Sequence, residues 1–203
     1  MRDKEKMNSF IEPYYDPIRL KALDYCKEDI LKNNTEGSVG ELGVSEGGFA
    51  KYIGLAFPDR ALHLFDTFWG WEKKQVEYDQ KKGWCSQNIQ HISRVQVEKV
   101  KENVRHPDIV IHEGLFKGEM VQGTFAFVSL DVDLYIPTKQ GLEVFWPKLS
   151  DGGFILIDDY GNPDWKGVKE AVREFLEKTE AYQYIKVKNK TYSLLLQKTN
   201  ELS

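Results

Sequence analysis

Apolar positions along this chain come in short runs that are hydrophobic on both faces, and these runs alternate with stretches of helical period. SVGELGV (38–44), ALHLFD (61–66), DIVIHEG (108–114), FAFVSLD (125–131) and GGFILID (152–158) read as buried strands. Between or after them, GGFAKYIGLAF (47–57), RVQVEKVKENV (94–104), TKQGLEVFWPKL (138–149) and WKGVKEAVREFLEK (165–178) read as helices. Strands buried on both faces and separated by helices imply a parallel sheet covered on each side, a doubly wound α/β fold. A lead-in helix over 1–36 is expected from Ile18, Leu20, Leu23, Ile30 and Leu31, spaced roughly as one face and ending near Gly37.

The tail has a different period. AYQYIKVKNKTYSLLLQK (181–198) holds two β-rich runs around Lys188, Asn189 and Lys190, a hairpin-length connection. Strands joined that way are antiparallel, so the mostly parallel, seven-stranded sheet should carry one antiparallel member near its end. A long segment, 67–92, separates the second strand from the helix before the third and mixes three tryptophans with charges. Irregular stretches of that length in a compact domain are usually functional. We therefore expect a lid over the C-terminal edge of the sheet.

Bulk composition narrows the function classes. The 203 residues, 41% of them hydrophobic, suit one domain with a sizeable core. A formal net charge of −4, with Lys and Arg scattered, argues against nucleic acid as a partner. No run of about 18 apolar residues is present, and two cysteines make no disulfide framework, so the expected address is the cytoplasm, without a membrane. Self-association into a homo-oligomer stays open.

Chemistry concentrates where strands end. The first strand runs through GELGVSEGG, with Glu41 and Gly43 at the turn and Gly47 and Gly48 where the helix begins. Glycine lets backbone approach a ligand, and helix N-termini favour anionic groups. The spacing E-x-G-x-x-x-G-G is not the dinucleotide fingerprint G-x-G-x-x-G. Asp66 ends the second strand, where a carboxylate can accept both hydroxyls of a ribose. A nucleoside-containing cofactor follows. His112, Glu113 and Gly114 end the third strand on the adenine side, with Leu115 and Phe116 as apolar cover.

Asp131 ends the fourth strand, and Asp158 and Asp159 end the fifth. Side by side, these three carboxylates suit a hard divalent cation such as Mg2+, which would make a bound hydroxyl easier to deprotonate. Asp131 could also accept that proton. Asp133 reads rather as a capping or loop-fixing acid. His91 reads as an exposed histidine, Tyr160 as packing, and Cys85 lacks the partners of a nucleophile. Trp69, Trp71 and Trp84 either stack on a ring or hold the lid down.

At these residues the chain resembles the class I S-adenosylmethionine-dependent methyltransferases, and more narrowly the macrocin O-methyltransferase (TylF) family. The match lies in VGELGVSEGG, FDTFWG, VKENV followed by EGLFKG, LDVDLY, and PKLSDGGFILIDDYG, within about residues 38–175. Val132, Ile136 and Pro137 stand where the family pattern has Gly and a Glu-Ser pair. The resemblance implies a Rossmann-like fold and Mg2+-dependent O-methylation of a small hydroxylated acceptor such as a sugar or glycosylated metabolite. It implies Asp131, Asp158 and Asp159 as metal ligands and Asp131 as base. It also implies S-adenosylmethionine contacts from Glu41, Gly43, Val44, Ser45, Gly47, Gly48, Asp66, Thr67, Phe68, Gly114, Leu115 and Asp131. The competing expectations are a nucleotide-dependent oxidoreductase and a non-catalytic S-adenosylmethionine-binding domain.

Overall fold

A computed structural model describes residues 16–86, 94–180, 182–188 and 191–199. One seven-stranded sheet organises them: β1 (Ser38–Leu42), β2 (Leu62–Asp66), β3 (Ile109–Glu113), β4 (Phe125–Leu130), β5 (Leu149–Ile157), β6 (Tyr182–Val187) and β7 (Ser193–Lys198), in the order β3-β2-β1-β4-β5-β7-β6. β1 to β5 pair in parallel, whereas β7 runs antiparallel to both β5 and β6. This is the Rossmann-like mixed sheet expected from the alternating runs and the β-rich tail. Asn189 and Lys190 of the expected hairpin turn lie outside the described residues.

Helices α1 (Pro17–Lys32), α2 (Gly48–Ala56) and α4 (Val97–Val104) cover one face, and α5 (Tyr135–Phe145) and α6 (Lys166–Leu176) the other. All six residues of β4 are buried, as a central parallel strand between two helix layers requires. Among the described residues no helix is long and apolar enough to cross a membrane.

Two elements depart from the pattern read in the sequence. α1 starts as expected of Asp16-Pro17, with the Asp16 carboxylate accepting from the Ile18 and Arg19 amides at 2.9 and 3.0 Å. Its buried face, however, is Arg19, Leu23, Cys26 and Ile30, while Ile18 and Leu31 are exposed. The stripe at i, i+4, i+7 and i+11 is regular, and an arginine is one of its members. Secondly, the expected lid contains a helix, α3 (Lys73–Lys82), whose one buried residue is Asp79. KKQVEYDQKK lacks an apolar face, so the helix rests on its ends: Glu72 accepts from the Gln75 amide at 3.0 Å, and Gly83, at φ 70°, closes it in a left-handed turn. Residues 87–93, His91 among them, lie outside the described residues.

The C-terminal ends of β2, β1, β4 and β5 are tied in step just past the sheet. Gly43 N donates to Phe65 O, Asp131 N to Leu42 O and Asp158 N to Leu130 O, at 2.8–2.9 Å. These bonds bring the acidic loops after β4 and β5 beside the glycine turn after β1.

Candidate active site

Beyond those strand ends lies a cavity of about 460 Å³, and every residue expected at the cofactor lines it except Gly47. Gly43 has φ 86°, and a Cβ there would stand 1.9 Å from the Asp131 carbonyl oxygen, so only glycine lets the turn pass the β4 loop. Gly47 also has a positive φ, but a Cβ on it would meet Val104 at 2.8 Å. It serves the packing of α2 on α4.

Asp66 organises the nucleoside side of the cavity. Its Oδ2 accepts from the Val44 and Ser45 amides at 2.6 and 2.8 Å, and its Oδ1 from the Phe68 amide at 2.7 Å. A carboxylate has roughly four acceptor positions, and the Thr67 hydroxyl, 3.5 Å from Oδ1, donates to Gly70 O at 2.7 Å instead, so one position stays open. On the third strand, His112 faces away from the cavity: its Nε2 lies 3.1 Å from His63 Nδ1, and the ring stacks on Phe65 at 4.3 Å. Glu113 is exposed and lies 3.9 Å from Arg94. Gly114, Leu115 and Phe116 do line the cavity.

The acids divide into two groups. Asp131, Asp133 and Asp159 each offer a carboxylate oxygen within 4.8 Å of the others. Asp158 is instead held below them: Thr191 and Ser193 hydroxyls donate to its Oδ1 at 2.9 and 2.6 Å, and Arg19 Nη1 to its Oδ2 at 2.8 Å. The geometry thus brings together two of the three expected metal ligands and adds Asp133 where Asp158 was expected. Asp133 does not cap α5, whose own N-cap residue, Leu134, makes no side-chain bond to the helix. It adopts φ 63°, as Asp159 adopts 56°, and its Oδ2 accepts from Trp71 Nε1 at 2.9 Å. Left-handed backbone is strained for non-glycine residues, and it aims both loops at one point.

Charge and burial set the acids apart in the same way. Burial pushes Asp131 up to about 6, against the opposing pull of Arg19. Burial and the neighbouring Asp131 carboxylate push Asp133 well above the usual range, and burial raises Asp159. For Asp158 the penalty of burial is outweighed by Arg19 and by the Ser193 and Thr191 hydroxyls, which leave it lowered. Glu41 is buried beside this network with its Oε2 unpartnered among the described residues, and burial raises it strongly.

Arg19 is the site residue that the sequence did not reveal. Its guanidinium is completely buried, donates to Asp131 Oδ2 and Asp158 Oδ2 from Nη1 and to Ser129 Oγ from Nη2, each at 2.8 Å, and lies 3.9 Å from the centre of the Phe49 ring. The available signal was its place in the α1 stripe, masked by its charge.

The lid segment packs through aromatic rings and one acid. Trp71 lies 5.2 Å from Trp165, and Trp84 lies 5.0 Å from Tyr135, ring centre to ring centre. Trp84 and Trp165 therefore anchor the segment after β2, Trp71 also lines the cavity, and Trp69 is exposed beside Arg94. Tyr160 packs against the α5–α6 core. Cys85 is buried and its thiol is raised by burial, which disfavours a nucleophilic thiolate.

Asp79 Oδ2 accepts from the Tyr135 amide at 3.0 Å, capping α5 from across the lid, while its Oδ1 has no partner among the described residues. Burial pushes its carboxyl from 3.8 up to about 6, so the folded protein holds that proton more tightly than the unfolded chain. Ionised Asp79 thus costs stability above about pH 6, a cost that fades as pH falls towards 4. Asp79→Asn keeps the acceptor for Tyr135 and should raise unfolding free energy at pH 7.5 by roughly 1–3 kcal/mol, with no gain below about pH 4. Urea titrations at both pH values check this, and a loss of stability at pH 7.5 would contradict it.

Known proteins share this sequence and fold. Residues 16–190 match the family described as Macrocin-O-methyltransferase (TylF). The 8-demethyl-8-(2,3-dimethoxy-alpha-L-rhamnosyl)-tetracenomycin-C 4'-O-methyltransferase of Streptomyces olivaceus is 31% identical over 70% of this chain and 60% of its own length. The mycinamicin III 3''-O-methyltransferase of Micromonospora griseorubida is 30% identical over 79% of this chain and 68% of its own length. The structure of the O-methyltransferase NovP superposes with a TM-score of 0.71 at 25% identity, over 90% of this chain and 80% of NovP. The chain spans about 60% of the length of the two Streptomyces relatives it matches.

Proposed function

This chain belongs to the macrocin O-methyltransferase (TylF) family, and from that premise we propose that it transfers a methyl group from S-adenosylmethionine to a sugar hydroxyl of a glycosylated small molecule. The observation that carries the reading is the meeting of two features: a cavity sized for a nucleoside cofactor, and a carboxylate cluster that shares Asp131 with its wall. The rhamnosyl group in the name of the Streptomyces olivaceus relative supports a sugar as the acceptor. Two free thiols, Cys26 and Cys85, suit a reducing compartment such as the cytoplasm.

The acid cluster fits a hard divalent cation such as Mg2+. Three carboxylates converge, and among the described residues their one cationic hydrogen-bond partner is Arg19, on Asp131 alone. Asp131, Asp133 and Asp159 would hold the cation, with Asp158 beneath them engaged by Arg19. When bound, it would supply Lewis acidity that makes an acceptor hydroxyl easier to deprotonate.

The protein's own residues do the rest. Asp66 and the Gly43 turn hold the nucleoside end, which fixes the donor at one edge of the cavity. Asp131 stands at the boundary of the two regions, where its carboxylate would accept the hydroxyl proton. Methyl transfer to a hydroxyl needs the acceptor oxygen about 3–3.5 Å from the methyl carbon and in line with the leaving sulfur, which is a matter of positioning. Trp71 lines the cavity and holds Asp133 through its indole N–H.

Calorimetric titration of S-adenosylhomocysteine into metal-stripped protein, together with a turnover assay of S-adenosylmethionine and hydroxylated acceptors with and without Mg2+, tests the reading. Nucleoside binding without metal, and methyl transfer only with it, is the expected result. Binding without methyl transfer to any acceptor would favour a non-catalytic domain, and stabilisation by NAD alone an oxidoreductase.

A further inference from the structure

We infer that Arg19 is a positioning residue of the methyl-transfer site: its guanidinium fixes one oxygen of Asp131 and one of Asp158. The inference rests on the functional reading above and adds the lead-in helix to the machinery of the site.

Geometry carries it. Arg19 stands on the first turn of α1, and its Nη1 reaches carboxylates 112 and 139 positions away in sequence, on the loops after β4 and β5. Burying a guanidinium is costly unless its bonds are charge-assisted and well directed, and this one donates at 2.8 Å to two carboxylates and to the Ser129 hydroxyl. Phe49 of α2 lies against its flat face. The side chain is thus immobilised by α2, β4 and the two acidic loops at once.

The consequence is that two of the acids are held in fixed orientations. Asp158 spends both oxygens on fixed donors, Thr191 and Ser193 on one side and Arg19 on the other. Asp131 gives Oδ2 to Arg19, while its Oδ1 has no hydrogen bond among the described residues. That oxygen is left for the cluster with Asp133 and Asp159. Arginine suits the task because it stays protonated and presents a rigid fork, so the brace does not switch with pH. A lysine would offer a point charge on a mobile stem.

The test uses the full chain as wild type, Arg19→Lys and Arg19→Gln, with Mn2+ as the probe cation, read directly by electron paramagnetic resonance. S-adenosylhomocysteine calorimetry serves as the fold control. Loss of an outer partner of metal ligands typically weakens metal affinity or activity about 10–100-fold. We expect Mn2+ affinity to fall by that factor in Arg19→Gln and by at least about 10-fold in Arg19→Lys. kcat should drop in parallel, with KM for S-adenosylmethionine within about threefold.

Tighter Mn2+ binding in Arg19→Gln would make Arg19 a competitor of the cation, and unchanged binding a mere strut; either overturns the inference. If Arg19→Gln does not fold, Arg19→Lys decides, and wild-type Mn2+ affinity in that variant overturns it as well. Failure of the wild type to bind S-adenosylhomocysteine would instead bring down the functional reading itself. Nucleoside binding by a wild type that takes no Mn2+ would remove the cation, and this inference with it.

Discussion

Asp131→Asn should lower the turnover of methyl transfer by about 1,000-fold or more, while S-adenosylhomocysteine binds within about threefold of wild type. The substitution is close to isosteric, and the amide oxygen can still accept from Arg19 Nη1, now 2.8 Å from Asp131 Oδ2. What disappears is a proton acceptor at the boundary between the nucleoside cavity and the acid cluster. One of the converging negative charges disappears with it, so divalent-cation affinity should fall too. The charge-assisted bond to the buried Arg19 guanidinium weakens as well, so chemical denaturation of the same preparation separates any loss of stability from the loss of turnover. Turnover within tenfold of wild type at saturating S-adenosylmethionine would show that another group takes the proton.

Asp66→Asn should weaken S-adenosylhomocysteine binding by about 100-fold or more and cost roughly 2–4 kcal/mol of stability, because both carboxylate oxygens already accept from backbone amides. Val44 and Ser45 donate to one oxygen and Phe68 to the other. An asparagine of either orientation turns its NH2 group towards at least one amide donor, so the substitution replaces attraction by repulsion at a buried turn. Val44 and Phe68 are both buried, which denies their amides water as a substitute. The same turn holds Gly43 against the Asp131 carbonyl, and its loosening should also blur the placement of the acid cluster. Calorimetry and chemical denaturation on one preparation separate the two effects. Nucleoside affinity within threefold of wild type, together with lost stability, would reduce Asp66 to a loop anchor.

Much of this site was legible in the residues. The acids after β4 and β5, the glycine after β1 and the carboxylate after β2 all stand at strand ends, and the parallel alternation of strands and helices puts such ends on one edge. Periodicity encodes those facts locally, and the hairpin-length spacing near Lys188 signalled that the final strand would run antiparallel. The segment after β2 stood out in the sequence but not as a helix, since KKQVEYDQKK has no apolar period and α3 owes its place to Glu72, Gly83 and the contact of Asp79 with α5.

Local pattern could not assign partners. Asp133 follows Asp131 by two residues and Asp158 adjoins Asp159, both just past an apolar run, and spacing cannot show which way Asp133 or Asp158 points. Their roles differ because the chain turns into left-handed backbone at Asp133, towards Asp159 and Trp71, while Asp158 stays in line with β5 between Arg19, Thr191 and Ser193. Arg19 shows the limit most clearly. A charged residue in an apolar stripe reads as a surface position, since burying a lone charge is prohibitive. Only the folded chain, which carries carboxylates from far along the sequence to that point, supplies the compensation that makes the burial stable. The order of elements and the edge that bears the chemistry were therefore set by hydrophobic period and turn residues, which act over a few positions. The pairing of buried charges was decided by tertiary structure, because electrostatic compensation depends on distance in space.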